Sequence, residues 1–249
     1  LPLIQEFERT STTVINSYIR PVVEGYVSAL ADRMRRLSIR APLMIMQSSG
    51  GILPAPLVAE NPVYLIESGP AAGVVGAQRV GQHQGLTNLM VLDMGGTTAK
   101  AAIIEDGQFT ILPEGEVGGG VTMGTRLVQG AGYAVQVPTI DIAEVGAGGG
   151  SIVSVDVAGG IQVGPRSAGA DPGPVCYDLG GTQPTVTDAN LTLGYLNPKA
   201  LVGGELKMNF EKAERALVTL ARKVGQSLTD TSHGIHRLVN ANMMRAMRG

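Results

Sequence analysis

The sequence predicts an α/β fold in which a mixed sheet is covered by helices. Helical periodicity runs through residues 9–37 and again from Asn209 to Lys223. Between these segments, residues 88–117 hold three short apolar runs that are separated by turn residues, as in consecutive antiparallel strands. A glycine-rich insertion, about 112–200, has little helical period and predicts short strands joined by ordered turns.

The composition limits the class of protein. The chain has 249 residues, a net charge of −2 and one cysteine, Cys176. This length suits one large domain or two smaller ones. The nearly neutral charge favours neither nucleic acid nor an anionic membrane as a partner. A single cysteine excludes an internal disulfide framework. No apolar run reaches the about 18 residues of a membrane span, and no signal peptide opens the chain, so we expect a cytoplasmic location.

The first part of the chain predicts helices and two strands. Pro21 is expected at the first position of a second helix, where a missing N–H is tolerated. The sequence APLMIMQSSGG (41–51) predicts a short buried strand and a polar turn, and PVYLIE (62–67) predicts another strand. The second helix has an apolar face formed by Val22, Tyr26, Ala29, Leu30, Met34 and Leu37.

Capping signals mark three further helices. Ser68 is expected to cap a helix that has glycines along one side. Such a side allows either tight packing or the close approach of another backbone. That side consists of Gly69, Gly73 and Gly76. Asn209 is expected to cap a helix that ends before Gly225. A final helix is expected to begin near Thr231.

The turn between the first two predicted strands carries the strongest chemical signal. NLMVLDMG and AKAAIIED are the strands, FTILPEGEV follows, and the turn reads Gly95-Gly96-Thr97-Thr98. Its backbone N–H groups and hydroxyls can converge on phosphate oxygens, which a Cβ at a glycine would obstruct. Asp93 can position Mg²⁺ beside the phosphates, and Lys100 can neutralise phosphate charge or lie at the rim. An ordinary hairpin with turn glycines is the alternative.

A second glycine-rich motif, GAGGGS, is ambiguous. Its amides can bind a phosphate or a substrate carbonyl. It also follows Asp141 and Glu144, so it can form the edge of an acidic pocket, or it is simply a turn between strands. The residues concerned are Gly146, Gly148, Gly149, Gly150 and Ser151.

The remaining reactive side chains favour structural roles. No base partner for Cys176 is identifiable, so a buried, inert thiol is expected. Asp188 fits a helix cap at Thr187 or Asp188 better than a site acid. His233 and His236 lie three residues apart on a helix, but no third ligand completes a metal site.

Seven motifs cover most of residues 5–200: QEFERTSTTVINSYIRP, MQSSGGI, ESGPAAGVVGA, DMGGTTAKA, PTIDIAEVGAGGGSI, VGPRSAGADPGPVCYDLGG and PTVTDANLTLGYL. In these motifs and their order, the chain resembles the hydantoinase A/5-oxoprolinase family, which includes acetone carboxylase β-type subunits. The hairpin turn alone is similar to a phosphate-binding hairpin of the actin, Hsp70 and sugar-kinase ATPases. Many family members carry GGTSTD at this hairpin, whereas this chain has Lys100 where they have the acid.

The resemblance implies an actin-like (ribonuclease H-like) ATPase fold and a central fragment of a longer subunit, as the missing initial methionine also suggests. Residues 1–83 would be the end of a first ATPase lobe and an inter-lobe helix. Residues 84–249 would be an incomplete second lobe, with the glycine-rich insertion at about 112–200. The isolated chain should therefore bind ATP weakly and be inactive.

The resemblance also implies an ATP-dependent hydrolase that opens a cyclic amide of the hydantoin or 5-oxoproline type. ATP and Mg²⁺ or Mn²⁺ are the expected cofactors, and a second hydantoinase-type subunit or fused half is the expected partner. Asp93 is the expected catalytic and metal-positioning residue, with the turn residues as the second-lobe phosphate loop. An acetone carboxylase-type subunit and a noncatalytic ATPase-fold interaction module are the alternatives.

Overall fold

The structure, a computed structural model, describes residues 4–117, 132–199 and 207–247. Backbone proximity divides the chain into two compact units. The first comprises Leu1–Val91 and Ala101–Ile142, and the second comprises Leu92–Lys100 and Ala143–Gly249. Both units contain helices and short strands, so the predicted α/β class is confirmed. The predicted lobe boundary after residue 83 stays a prediction, and the GGGVTMG run (118–124) lies outside the described residues.

In the first unit, a long helix lies against short elements. α1 (Glu6–Arg36) packs on α2 (Ala55–Glu60) and on a 3₁₀ turn, Pro62–Leu65. β1 (Met44–Met46) pairs antiparallel with β2 (Ile52–Pro54), which confirms the predicted strand and polar turn at 41–51. The strand is not buried as predicted, since Met44 is exposed and the next two residues are half-buried.

The prediction of two helices meeting at Pro21 is wrong, because α1 runs through Pro21 without a break. Proline in a helix leaves the carbonyl four residues earlier without its usual donor. Pro21 and Ser17 are both exposed, so water can satisfy that carbonyl. The predicted apolar face is also not buried throughout: Val22 and Tyr26 are 76% and 66% exposed in the described chain.

The predicted strand at 62–67 is also wrong, since Pro62–Leu65 forms the 3₁₀ turn. Ser48 donates from its N–H and its hydroxyl to the Tyr64 carbonyl, which draws this segment onto the β1–β2 turn. α3 (Ser68–Gln84) follows, with Glu67 rather than Ser68 at the N-cap. Its glycine side is exposed in the described chain, while Ala71 and Val74 are buried on another side.

The predicted hairpin is present. β3 (Leu89–Met94) and β4 (Ala99–Glu105) lie side by side in a sheet of order β10–β4–β3, with β5 (Gln108–Phe109) also paired to β4. Asp106 and Gly107 both have positive φ, as a two-residue hairpin turn between β4 and β5 requires.

FTILPEGEV does not continue as one strand, because Pro113 cannot donate to a ladder. The segment divides instead into β5, β6 (Ile111–Leu112) and β7 (Gly115–Val117). β6 pairs with β9 (Thr139–Ile140), and β7 pairs with β8 (Tyr133–Val135).

Besides residues 92–100, the described part of the second unit includes a β-hairpin and three α-helices. β10 (Ala143–Val145) precedes β11 (Ser151–Val155), which pairs antiparallel with β12 (Ile161–Ser167). α4 (Val186–Thr192) packs on α5 (Phe210–Val224) and α6 (Leu228–Ala246).

Buried apolar residues hold these helices to the hairpin. Their core includes Val153, Val163, Val186, Ala189, Leu217, Ile235 and Val239.

The capping prediction for α5 is confirmed. The Asn209 side chain accepts a hydrogen bond from Lys212 N, and Gly225 ends the helix with φ of 70°. α6 begins at Leu228, three residues before the predicted start. Within the three described ranges, no helix combines the length and apolar character needed to cross a membrane.

Candidate functional site

The turn that joins β3 to β4, hereafter the hairpin turn (residues 95–98), is closed by one backbone hydrogen bond. Gly95 N donates to Thr98 O at 2.9 Å. Asp93 is the second-last residue of β3, close to the hairpin turn, and it is exposed. Asp93 has no hydrogen bond or ion pair within the described residues, so its carboxylate is available to a ligand.

The two sides of the hairpin turn differ in their hydrogen bonding. The carbonyls of Gly95 and Gly96 accept from Gly149 N at 3.0 Å and from Gly150 N at 2.6 Å. In the described part of the chain, the N–H groups of Gly96 and Thr97 have no acceptor. A Cβ built at Gly96 meets no atom of the described residues within 4 Å. The protein therefore engages the carbonyls of the turn and leaves these two amides open.

Lys100 brings a positive charge to the hairpin turn. Its ammonium donates to Thr98 Oγ1 at 2.7 Å, so the predicted common face of these two residues is confirmed. It also pairs with Glu144 Oε1 at 3.1 Å, and the lysine side chain is only 15% exposed. Glu144 thus belongs to an ion pair, and the Lys100 ammonium is held at the hydroxyl of the turn residue Thr98.

GAGGGS, hereafter the second glycine loop (residues 146–151), follows β10 and lies against the hairpin turn. A Cβ at Gly148 would lie 2.6 Å from Gly96 O, closer than any real side chain approaches. A Cβ at Gly150 would lie 2.9 Å from the same oxygen. Glycine is therefore required here for backbone-to-backbone contact.

Five amides of the second glycine loop, those of residues 147–151, already have partners in the protein. Gly148 N donates to the buried hydroxyl of Ser151 at 2.9 Å, and Ser151 N donates to Gly148 O at 3.1 Å. Ala147 N donates to Val145 O at 2.7 Å, and Gly149 and Gly150 donate to the hairpin turn. A phosphate or carbonyl bound by these amides would have to replace such a partner, so direct contact with a ligand stays a prediction.

Asp188 and Cys176 form a buried structural group. The Asp188 carboxylate accepts from Val175 N, Cys176 N, Thr185 N and Thr185 Oγ1, at 2.8–3.2 Å. Thr185 is the N-cap of α4 and Asp188 completes its capping box, so the predicted cap at Thr187 or Asp188 is wrong by two to three residues. Burial raises the pKa of the Cys176 thiol, and the neighbouring Asp188 raises it further. Cys176 is therefore a buried thiol that stays protonated.

The histidine pair does not form a metal site in the described residues, where no group of three His, Cys, Asp or Glu side chains converges. His233 is exposed. His236 lies between Asn190 Oδ1 at 3.1 Å and Asn240 Nδ2 at 3.0 Å. With the amides oriented in this way, Nδ1 carries the proton and donates to Asn190.

The sequence interpretation missed Thr187 as a contact of the second glycine loop. Thr187 N and Oγ1 both donate to Gly149 O at 2.8 Å. The two residues are 38 positions apart. The pattern Thr185-x-x-Asp188 was a readable signal for the helix start, but no local pattern links Thr187 to Gly149.

Comparison with known proteins gives consistent matches. The family model described as hydantoinase/oxoprolinase matches residues 9–249. An uncharacterised protein of Methanocaldococcus jannaschii is 47% identical over 99% of this chain and 36% of its own length. Caprolactamase subunit alpha of Pseudomonas jessenii is 39% identical over 99% of this chain and 34% of its own length.

Two solved structures share the fold. A nucleotide-free acetone carboxylase has a TM-score of 0.80 at 28% identity, over 96% of this chain and 32% of its own. The ATP-dependent caprolactamase of Pseudomonas jessenii has a TM-score of 0.69 at 40% identity, over 100% of this chain and 34% of its own. This chain thus spans about a third of the length of these relatives. It belongs to the hydantoinase/oxoprolinase family.

Proposed function

We propose that this chain is part of an ATP-dependent hydrolase that opens a cyclic amide, and that its hairpin turn binds the phosphates of ATP. One observation carries the proposal. The turn presents the amides of Gly96 and Thr97 without acceptors in the described chain, between the exposed Asp93 and the Lys100 ammonium. Open amides beside a cation are what phosphate oxygens require.

The fold and location belong to the same proposal. Residues 1–83 would end one actin-like lobe and residues 84–249 would form part of a second, with the glycine-rich insertion at about 112–200. The two solved relatives, an acetone carboxylase and a caprolactamase that both work with ATP, support an ATPase fold. We place the enzyme in the cytoplasm, where ATP is available.

The oxygen donors at the hairpin turn decide which metal ions fit there. Asp93 is a single carboxylate at the turn, and no cluster of three acidic, histidine or cysteine side chains occurs in the described ranges. Mg²⁺ fits such a site because it usually takes one or two carboxylates together with phosphate oxygens and water. Mn²⁺ fits the same oxygen ligands. Asp93 would hold the metal, and the metal would neutralise phosphate charge.

The reaction that fits is phosphoryl transfer to the amide oxygen, followed by attack of water on the amide carbon. The transfer breaks the bond between the γ-phosphorus and the bridging oxygen and releases ADP. Phosphorylation weakens the resonance of the ring amide, so that water can add to the amide carbon. The carbon–nitrogen bond then breaks, the ring nitrogen takes a proton and leaves as an amine, and a second water hydrolyses the remaining acyl phosphate to a carboxylate and inorganic phosphate. The relative named ATP-dependent caprolactamase acts on a cyclic amide, which favours this reading.

A carboxylase-type subunit is the second candidate, because acetone carboxylase gives the higher TM-score of the two solved structures, 0.80 against 0.69. The higher identity to caprolactamase, 40% against 28%, favours the cyclic-amide reading. The word "subunit" in the relative's name, caprolactamase subunit alpha, supports a partner subunit or fused half for this protein too.

The deciding experiment measures ATP hydrolysis by the full-length protein with its partner subunit in the presence of caprolactam, hydantoin, 5-oxoproline or acetone with bicarbonate. The proposal expects ADP release that is stimulated by at least one cyclic amide, with one ring opened per ADP. Stimulation by acetone and bicarbonate alone would favour the carboxylase reading. ADP release that responds to none of these compounds would favour a noncatalytic interaction module.

Alanine at Gly96 tests phosphate binding at the turn. The φ of Gly96 lies outside the left-handed region and its added Cβ meets no protein atom within 4 Å, so stability should not change. The methyl group would stand where phosphate approaches, so the KM for ATP should rise by about tenfold or more, the effect of one lost charge-assisted hydrogen bond. Steady-state kinetics with a melting curve check this. An unchanged KM for ATP would contradict phosphate binding at Gly96.

A further inference from the structure

The backbone of Gly149 connects the hairpin turn to a helix. Its N–H donates to Gly95 O at 3.0 Å, and its carbonyl accepts from both Thr187 N and Thr187 Oγ1 at 2.8 Å. A Cβ at Gly149 would lie 2.8 Å from the Thr187 hydroxyl, so this contact also requires glycine. The position of Gly95 O is therefore set by Thr187 through the backbone of one residue.

Thr187 is itself fixed in place. It is the second residue of α4, and its side chain is buried at 8% exposure. Its neighbour Val186 is fully buried in the core of the second unit, and its other neighbour, Asp188, closes the capping box on Thr185. The start of α4 is thus a rigid support for the second glycine loop.

A second contact fixes the other carbonyl of the turn. Gly150 N donates to Gly96 O at 2.6 Å, while Gly150 O accepts from Ala168 N at 2.8 Å, just after β12. The carbonyls of Gly149 and Gly150 are therefore both hydrogen-bonded, the first to α4 and the second to the residue after β12. Both then hold a carbonyl of the hairpin turn, whose amides of Gly96 and Thr97 stay open in the described chain.

We propose that Thr187 is a positioning residue that sets the conformation of the hairpin turn through Gly149, so that the amides of Gly96 and Thr97 are preorganised for phosphate. Its importance for ATP rests on the function proposed above, whereas its control of the turn does not. Fixed backbone donors are effective because they need no reorganisation when the ligand arrives. The second glycine loop then serves ATP by supporting the turn.

The test is amide hydrogen exchange in the full-length, nucleotide-free protein, read by mass spectrometry on peptides covering residues 93–98. Thr187→Val keeps the shape of the side chain and removes the hydroxyl donor. The Gly95 amide, which donates to Thr98 O, should exchange about tenfold faster, whereas the amides of Gly96 and Thr97 have no hydrogen bond in the described chain to lose. The KM for ATP should rise by a similar factor, as for one lost hydrogen bond. The KM for the cyclic amide should stay unchanged.

Two controls separate positioning from general destabilisation. Thr187→Ser restores the donor and should return both values to within about twofold of the wild type. Thr192→Val removes a hydroxyl on the same helix that donates to Asp188 O, at 2.9 Å, and should leave the hairpin turn unchanged. If Thr187→Val does not fold, Gly148→Ala provides a second variant, because its Cβ would push against Gly96 O.

The outcomes distinguish the two proposals. Unchanged exchange of the hairpin turn in Thr187→Val, or failure of serine to restore it, would overturn the positioning role. Equal acceleration throughout the second unit would also overturn it, since that indicates loss of stability alone. Faster exchange at the turn with an unchanged KM for ATP would uphold the control of the turn by Thr187 and instead overturn nucleotide binding there.

Discussion

Replacement of Asp93 by asparagine should reduce ATP-coupled turnover of the full-length protein by about 100-fold or more, with little change in stability. The carboxylate is exposed and has no partner in the described residues, so its removal breaks no contact there. Asparagine keeps the shape but loses the negative charge that would hold Mg²⁺ against the phosphates. Single-turnover ADP release and a melting curve measure the two effects separately.

Asp106→Asn is the matched control for this experiment. Asp106 is also an exposed aspartate at a hairpin turn, and its φ of 50° is one that asparagine tolerates. This variant should keep wild-type turnover. Full activity in Asp93→Asn, or an equal loss in both variants, would remove Asp93 from the proposed metal site. Raising the Mg²⁺ concentration should partly restore Asp93→Asn, because weaker metal binding is the expected defect.

Replacement of Asp188 by alanine should give the largest loss of stability. The carboxylate is fully buried and satisfies four donors, three of them backbone N–H groups. Alanine would leave these donors without acceptors inside the protein, where each costs about 1–3 kcal/mol. The free energy of opening α4, from hydrogen exchange of its amides in the full-length protein, should fall by roughly 3 kcal/mol.

Asp178→Asn is the comparison for Asp188→Ala, because the φ of Asp178 is 61°, which asparagine tolerates and alanine disfavours. Asp178 also bonds several donors, since Lys212 and Asn209 hydrogen-bond to its carboxylate and lower its pKa, but it is exposed to solvent. Water can satisfy the donors that lose the Asp178 carboxylate, so hydrogen exchange of the α4 amides should barely change. If both variants open α4 equally, the burial of the Asp188 network does not explain its stabilising effect.

The parts of the fold that the sequence predicted correctly depend on local signals. The hairpin turn has its glycines and threonines between two apolar runs, and α5 has Asn209 and Gly225 at its ends. Lys100 was correctly expected on the face of Thr98, because side chains alternate along a strand. Each of these features is decided within a few residues, so tertiary contacts had little to change.

The errors arose where tertiary contacts decide the structure. PVYLIE has strand composition, but hydrogen bonds from Ser48 to Tyr64 hold it as a 3₁₀ turn. Pro21 was expected to separate two helices, yet its exposure lets one helix continue. The contact between the second glycine loop and the hairpin turn joins residues more than fifty positions apart, and no pattern along the chain indicates it.

The measurement that most directly tests phosphate binding at the hairpin turn is a structure of the full-length protein with Mg²⁺ and a non-hydrolysable ATP analogue. We expect phosphate oxygens at about 3 Å from the amide nitrogens of Gly96 and Thr97, a normal hydrogen-bond distance. We also expect the metal next to Asp93, directly or through a water. A nucleotide bound elsewhere, with these two amides facing only solvent, would contradict the account.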